Sequence, residues 1–190
     1  MKGSPFIVGE KIYLRALERT DLEGEYLQWL NDHEVTRFME SGRTPTTADA
    51  LAEYYSRVAG NANGVMMAIV ELETDRHVGN TKLGPINWVH RYAEFGIMIG
   101  AKDSWGRGYG TEATRLMLDY GFCQLNLNKI LLGVVGDHAA AISAYEKVGF
   151  RHEGRITRLL YVEGYYRDKV IMGVTREEFR GLPDNTLLGT

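Results

Sequence analysis

The sequence predicts a mixed α/β domain of the α+β class, with a central, mostly antiparallel sheet of about six to seven strands and about four to five flanking helices. Three observations lead to this prediction. Helical segments dominate the first third of the chain, strand patterns separated by short turns fill the centre, and a strand, a helix and a hairpin follow near the end. The central strands should form an antiparallel meander.

The first third of the chain begins with a strand and continues with helices. Residues 11–17 alternate apolar and polar side chains, as a half-buried strand does. Thr20 opens a predicted helix, because its hydroxyl can cap the first turn while Glu23 reaches back in a capping box. Two more helices are predicted over residues 35–39 and 47–58.

The central part of the chain changes to strand patterns, over residues 65–72, 77–86 and 93–99. In the last of these strands, alternation puts Glu94 and Met98 on the face opposite to four apolar residues. The four are Ala93, Phe95, Ile97 and Ile99.

The last part of the chain combines two helices with three strands. One helix follows residues 105–111, a strand covers residues 130–135, and the second helix is stopped by Gly149. Apolar residues recur at helical spacing in both helices, at Ala113, Leu116, Met117 and Tyr120 in the first and at Ala141, Ala144, Tyr145 and Val148 in the second. A hairpin over residues 156–162 and 165–174 completes the predicted sheet.

Length and composition indicate one globular domain. A chain of 190 residues fits a single domain, which we assign to residues 1–180, with residues 181–190 as a flexible tail. Hydrophobic residues at 44% and charged residues at 25% exclude a disordered chain. Because no apolar run could span a membrane and the N-terminus has no signal-peptide core, we expect a cytoplasmic protein with no membrane partner.

Charge and metal-ligating residues exclude further classes of protein. A formal charge of -3 differs from the strongly basic character of a nucleic-acid binder, so no nucleic-acid partner is expected. The lone Cys123 excludes an internal disulfide and a multi-cysteine zinc site, which agrees with a reducing compartment. The five histidines are scattered along the chain without metal-ligand spacing, so we expect no metal.

The segment Trp105-Gly106-Arg107-Gly108-Tyr109-Gly110-Thr111 is the strongest functional signal in the sequence. Its alternate glycines let backbone N–H groups turn inward, and the following helix adds the positive end of its dipole. Arg107 could add a full charge and Thr111 a hydroxyl. The segment therefore predicts a loop that binds a pyrophosphate, although glycines also turn a chain where no ligand binds.

Two other kinds of phosphate-binding loop are alternatives for this segment. Residues 108–113 satisfy the pattern G-x-G-x-x-G/A of dinucleotide-binding folds. In those folds the first glycine closely follows a strand, whereas residues 101–106 intervene here, and too few residues remain for the six-stranded sheet. A nucleoside-triphosphate P-loop is excluded because no Gly-Lys-Ser/Thr follows the glycines.

A second motif, Tyr145-Glu146-Lys147-Val148-Gly149-Phe150, ends the last predicted helix. With the glycine loop before it at this separation, it makes the chain resemble the GNAT acetyltransferase superfamily over residues 11–174. The sequence looks most similar to the branch of ribosomal-protein N-terminal, spermidine and amino-sugar N-acetyltransferases. Two positions depart from the family pattern, since Trp105 replaces a glutamine or arginine and His138 replaces an asparagine.

The resemblance implies that acetyl-CoA is the co-substrate. The loop from Trp105 to Thr111 would hold the pyrophosphate, and backbone groups of Ile97, Met98 and Ile99 would receive the pantetheine arm and the thioester oxygen. The expected coenzyme site also includes Lys147 and His138, the latter at the position whose asparagine usually contacts the pantetheine arm.

Direct acetyl transfer to an amine requires a base and an acid, because an ammonium group is not a nucleophile. Glu94 is the candidate base, although a strand carboxylate is as readily solvated or paired with Arg91. Tyr145 is the candidate general acid for the departing thiolate, since a phenol has a pKa of about 10. The alternative for Tyr145 is a core tyrosine, because it also belongs to the apolar side of its helix.

The acceptor side is predicted only in outline. The resemblance implies that the early helices and the C-terminal hairpin select the acceptor. Acidic and aromatic side chains there suit an amine and a sugar equally well, and they also suit ordinary roles as helix caps, surface charges and strand pairs. The candidate substrate residues are Trp29, Asp32, Glu34, Phe38 and Tyr166.

The expected activity is transfer of an acetyl group to a primary amine, with an amino-sugar nucleotide as the main expectation. The alternative acceptors are a polyamine such as spermidine and the N-terminus of a ribosomal protein. A non-catalytic CoA-binding domain is a different class, and the retained glycines and Tyr145 argue against it. The resemblance also implies a possible homodimer.

Overall fold

A computed structural model describes residues 3–181. It contains one eight-stranded mixed sheet, which confirms the predicted fold class with one strand more than expected. The strands are β1 (Ile7–Val8), β2 (Ile12–Ala16), β3 (Val65–Glu71), β4 (His77–Asn87), β5 (Tyr92–Ile99), β6 (Lys129–Val135), β7 (Arg151–Val162) and β8 (Tyr165–Thr175). The α-helices are α1 (Tyr26–Leu30), α2 (His33–Thr36), α3 (Ala48–Val58), α4 (Tyr109–Asp119) and α5 (Ala139–Val148).

The strand order is β1-β2-β3-β4-β5-β6-β8-β7. Strands β3 to β5 form the predicted antiparallel meander, and β2 extends it by pairing antiparallel with β3. The additional strand is the short β1, which pairs with β2 at Ile7 and Leu14. Strands β5 and β6 pair in parallel, whereas β8 pairs antiparallel to both β6 and β7. The parallel contact between β5 and β6 is therefore the place where the meander meets the C-terminal half of the sheet.

The segment after β2 differs from the helix predicted to begin at Thr20. Residues 19–23 form a 3-10 turn whose capping box joins Glu18 and Asp21, and α1 begins only after Gly24. The reason is tertiary, since the carboxylate of Asp21 receives two hydrogen bonds of 2.7 Å from the buried guanidinium of Arg15. Burial alone would raise the pKa of Asp21, but the hydrogen bonds from Arg15 and from the Glu18 amide outweigh it and lower that pKa.

Most other element bounds lie close to the prediction. Helix α2 covers His33–Thr36 rather than residues 35–39, because the Asp32 side chain caps it by accepting from the amides of Glu34 and Val35. Helix α5 has the predicted bounds and ends at Gly149, whose φ is 111°. Residues 182–190 of the predicted tail lie outside the described residues. No helix within residues 3–181 is long and apolar enough to cross a membrane.

The helices pack on two faces of the sheet, which we name after two neighbouring residues of β5. The Phe95 face carries α4 and α5, as the approach of Gly110 to Ile99 and the ring contacts of Tyr145 with Phe95 indicate. The Glu94 face carries the early helices, because Trp29 of α1 packs on Gly100 there.

Helix α3 also lies on the Glu94 face. The hydroxyl of Tyr54 in α3 contacts the sulfur of Met66 in β3 at 3.6 Å. Met66 pairs with Lys82 of β4, and Lys82 pairs with Gly96 of β5, so all three side-chain positions share the face of Glu94. The early helices and the late helices are therefore separated by the sheet.

Candidate active site

Strands β5 and β6 part after a short parallel contact. Three pairs join them, the last between Glu94 and Leu131, yet β5 continues to Ile99 and β6 to Val135. We call the gap beyond Glu94 and Leu131 the opening. It lies at the carboxyl ends of two parallel strands, which is where open α/β sheets bind ligands.

The backbone of β5 presents alternate residues to the opening. The carbonyl of Arg91 accepts a hydrogen bond of 3.2 Å from the Lys129 amide at the start of β6, whereas the Gly100 amide donates to Val78 beside β4. Residues of odd number therefore turn their amide and carbonyl groups towards β6. Ile97 and Ile99 face the opening in this way, and the Ile99 carbonyl accepts a hydrogen bond of 2.8 Å from the indole of Trp105. The backbone of Met98 turns towards β4 instead.

The glycine loop ends at the N-terminus of α4. Gly106 and Gly108 have φ values of 75° and 89°, which favour glycine, and Gly108 is the residue before the first helical turn. A Cβ on Gly106 would meet nothing within 4 Å. The first amides of a helix lack partners within it, so those of Tyr109, Gly110 and Thr111 are available to an anion.

The buried carboxylate of Glu71 holds the glycine loop in place. Glu71, the last residue of β3, lies 2.6 Å from the guanidinium of Arg107 and accepts hydrogen bonds from the hydroxyls of Tyr109 and Thr74. The hydrogen bonds from Thr74 and Tyr109 and the charge of Arg107 lower the pKa of Glu71. The charge of Arg107, expected from the sequence to meet an anion, is thus paired with Glu71.

The sequence does not identify Glu71 as a residue of the site. The only indication in the sequence is that Glu71 is acidic and ends a strand whose preceding residues are apolar. A pattern of this kind does not identify the partner, because Glu71 and Tyr109 are far apart in the chain.

Tyr145 lies on α5, on the Phe95 face. Its ring packs edge-on against Phe95, with centroids 6.1 Å apart, and against Phe150 at 5.8 Å. Burial raises the pKa of Tyr145 to about 12, and its hydroxyl makes no hydrogen bond within residues 3–181. The side chain is therefore both part of the apolar packing and a protonated phenol with an uncommitted hydroxyl.

Glu94 lies on the opposite face, at the last residue of β5 that pairs with β6. Its side chain is exposed and forms no ion pair in the described part of the chain, so a pair with Arg91 is absent. The candidate base and the candidate acid thus belong to different faces of the sheet. The opening begins just beyond Glu94 on β5, the strand that Tyr145 contacts from the other face through Phe95.

The segment of residues 32–40 contacts elements at both sides of the opening. Asp32 and Glu34 lie 2.7 Å and 3.2 Å from the ammonium of Lys102, which follows β5. Phe38 stacks on His138, the residue before α5, with ring centroids 4.2 Å apart. Burial, reinforced by the charge of Arg37, lowers the pKa of His138.

Three other predicted site residues, Trp29, Tyr166 and Lys147, lie in different parts of the sheet and its helices. Trp29 is 5% exposed and packs on Gly100 and His77, so it supports β5 from the Glu94 face. Tyr166 is exposed on β8 and contacts the ring of Tyr161 at 5.2 Å. Lys147 is exposed in the last turn of α5. No group of three or more His, Cys, Asp or Glu residues within residues 3–181 could hold a metal ion.

Comparison with known proteins places these features in a family. Residues 11–151 match the family model described as Acetyltransferase (GNAT) domain. The chain is 31% identical to a spermidine N(1)-acetyltransferase of Vibrio cholerae over 90% of this chain and 97% of the relative. It is 33% identical to a spermidine N(1)-acetyltransferase of Escherichia coli K12 over 93% of this chain and 94% of that protein.

The fold also matches a solved structure closely. The crystal structure of the Vibrio cholerae spermidine N-acetyltransferase with CoA and spermine gives a TM-score of 0.81 at 30% identity, over 88% of this chain and 97% of that chain. A putative ribosomal N-acetyltransferase of Bacillus subtilis is 28% identical over 92% of this chain and 96% of the relative. Two of these relatives are named for spermidine and one for a ribosomal acceptor, and none of the three is named for an amino sugar.

Proposed function

Because the chain belongs to the GNAT acetyltransferases, we propose that it transfers the acetyl group of acetyl-CoA directly to the primary amine of a small molecule. The opening between β5 and β6 is the single observation that carries the proposal, since it joins the face of Glu94 to the face of Tyr145. Acetyl-CoA would supply the thioester. The glycine loop would hold its pyrophosphate through backbone amides, and Ile97 would hold the pantetheine arm.

The proposed division of labour follows from the positions of the two side chains. Glu94 accepts the proton of the incoming ammonium, directly or through water, so that a neutral amine attacks the thioester carbonyl. The nitrogen forms the new bond to the acetyl carbon and loses its second proton to solvent, while the bond from that carbon to sulfur breaks. Tyr145 gives its phenolic proton to the departing thiolate and regains one from solvent. Cys123 has no role in this scheme.

The acceptor has two candidate classes. The named relatives make a polyamine such as spermidine the first acceptor to test. Two lysines on the Glu94 face, Lys82 and Lys169, favour a second candidate, an amine that also carries an acidic group.

Thiol release from acetyl-CoA in the presence of amines tests the proposed reaction. The panel contains spermidine, an amino-sugar nucleotide and a ribosomal N-terminal peptide, and mass spectrometry identifies the acetylated product. Acetylation of at least one amine with equimolar CoA release is the expected result. Melting of the protein with CoA distinguishes a second outcome, because stabilisation by CoA without turnover of any amine would indicate a non-catalytic CoA-binding domain.

A further inference from the structure

Two lysines flank the opening on the Glu94 face. Lys82 of β4 pairs with Gly96 of β5, and Lys169 of β8 pairs with Val135 of β6. Paired residues share a face, and residues two apart in one strand share it too. Since Glu94 pairs with Leu131, the side chains of Lys82 and Lys169 both belong to the face of Glu94.

Each lysine lies across a glycine at the edge of the opening. A Cβ on Gly96 would lie 2.9 Å from Cε of Lys82, and a Cβ on Gly133 would lie 2.1 Å from Cε and 2.9 Å from Nζ of Lys169. Gly96 lies two residues after Glu94 in β5, and Gly133 lies two residues after Leu131 in β6, so both glycines border the start of the opening. The lysine side chains therefore extend towards the opening from the flanking strands, β4 and β8. They pass over Gly96 and Gly133, where a larger side chain would displace them.

Both ammonium groups are uncommitted. Within residues 3–181 neither Lys82 nor Lys169 forms an ion pair or a side-chain hydrogen bond, and Lys169 is only half-exposed. Two acidic residues on the nearby strands have other cations as partners: Glu153 pairs with Lys129 at 2.6 Å, and Asp168 pairs with Arg155 at 2.5 Å. Glu94, which shares the face, forms no ion pair with either lysine. Two unpaired cations at the mouth of a gap create a positive potential that attracts an anion.

We propose that Lys82 and Lys169 bind an anionic group of the acceptor, a carboxylate or a phosphate, while Glu94 engages its amine. This inference rests on the proposed function and narrows its substrate class. An acceptor that carries both an amine and an acidic group satisfies all three side chains. A polyamine carries only cations, so it leaves both lysines unpaired and is repelled by them.

Matched pairs of acceptors test the acidic group by itself. Lysine differs from cadaverine by one carboxylate, and glucosamine 6-phosphate differs from glucosamine by one phosphate. We expect kcat/KM for the acidic member to exceed that of its partner by about tenfold or more in at least one pair, the effect of a charge-assisted contact. Which pair responds distinguishes a carboxylate from a phosphate. Higher kcat/KM for the neutral or cationic member of both pairs would overturn the proposal.

Variants of the two lysines assign the preference to this site. Lys82→Met and Lys169→Met should each lower kcat/KM for the acidic acceptor by about tenfold and raise that for spermidine. Gly133→Ala keeps both charges but displaces Lys169, so it should reduce the preference as well. Lys129→Met is the matched control, because it removes the same charge from the same face where Glu153 already neutralises it. An unchanged preference in both lysine variants would contradict the inference.

Binding measurements separate this inference from the reaction itself. Calorimetry with the CoA complex gives the affinity for lysine and for glucosamine 6-phosphate without any turnover. Weaker binding to Lys82→Met and Lys169→Met than to the wild-type protein supports the anion site even if no amine is acetylated. Equal binding to all three proteins overturns the anion site, even if spermidine is acetylated and the proposed function holds.

Discussion

The Phe95 face and the Glu94 face meet at the same opening but are built from different groups. On the Phe95 face, backbone amides of the glycine loop and aromatic packing around Tyr145 form the proposed coenzyme site, and Arg107 is already paired with Glu71. On the Glu94 face, three uncommitted charged side chains come from three strands, at Glu94, Lys82 and Lys169. A site made of backbone suits one fixed ligand, whereas exposed charges can differ between relatives without changing the fold.

The largest expected effect concerns the acid on the Phe95 face. Tyr145→Phe should lower kcat by about a thousandfold, within the range of general acid catalysis, because only the hydroxyl is lost while the edge contacts with Phe95 and Phe150 remain. Pre-steady-state and steady-state measurement of thiol release gives kcat, and calorimetry should find the Kd for CoA unchanged. If the variant turned over as fast as the wild-type protein, Tyr145 would not be the general acid and its role would be in packing.

The pH profile gives a second view of Tyr145. Its pKa is raised to about 12, so the protonated acid persists as the pH rises and is lost only when the pH approaches that value. The wild-type kcat should therefore show no alkaline fall below pH of about 11 from this group. A fall centred near the ordinary phenol value of about 10 would contradict the assignment.

A smaller effect is expected on the Glu94 face. Glu94→Gln should lower kcat/KM for the amine by about a hundredfold at neutral pH, because the acceptor must then lose its proton without a base. The loss should shrink as the pH approaches the acceptor's own pKa, about 10 for an alkyl amine, where neutral amine is abundant. A loss that stays constant across this pH range would indicate a positioning role for Glu94 instead.

Glu71 tests whether its ion pair with Arg107 fixes the glycine loop. Glu71→Gln should raise the Kd for CoA by about tenfold, because Arg107 and Tyr109 lose a charged hydrogen-bond partner, while kcat and the acceptor KM change little. Simple charge removal near a bound anion would instead tighten CoA binding. Glu73→Gln is the control, because Glu73 is an exposed carboxylate that lines a surface cavity together with Glu71 and Arg107, and this variant should leave the Kd within about twofold.

The smallest expected effect concerns the link between the faces. Phe38 and His138 stack at 4.2 Å and connect the 32–40 segment to the start of α5. A double-mutant cycle with Phe38→Leu and His138→Asn, measured by urea unfolding, should give a coupling of about 1 kcal/mol for this ring contact. Strictly additive changes in the free energy of unfolding would mean that the rings contribute independently.

The sequence by itself determined the fold class, the order of the elements and the glycine loop. Apolar periodicity and capping residues act over a few neighbours in the chain, which is why the bounds of α5 and the alternation around Glu94 could be predicted. The helix expected at Thr20 was wrong because Asp21 is drawn to Arg15, a contact that local capping rules do not contain.

Only the tertiary structure decided which charges are committed and which remain available. Glu71 contacts the glycine loop from β3, a contact that the sequence does not indicate. Asp32 and Glu34 were predicted to bind the substrate, but the sequence did not show that both pair with Lys102. Lys82 and Lys169 flank the opening on the same face of the sheet. They do so only because of the strand register and because β5 and β6 part after Glu94 and Leu131. Register depends on pairing between distant segments, and no local pattern encodes it.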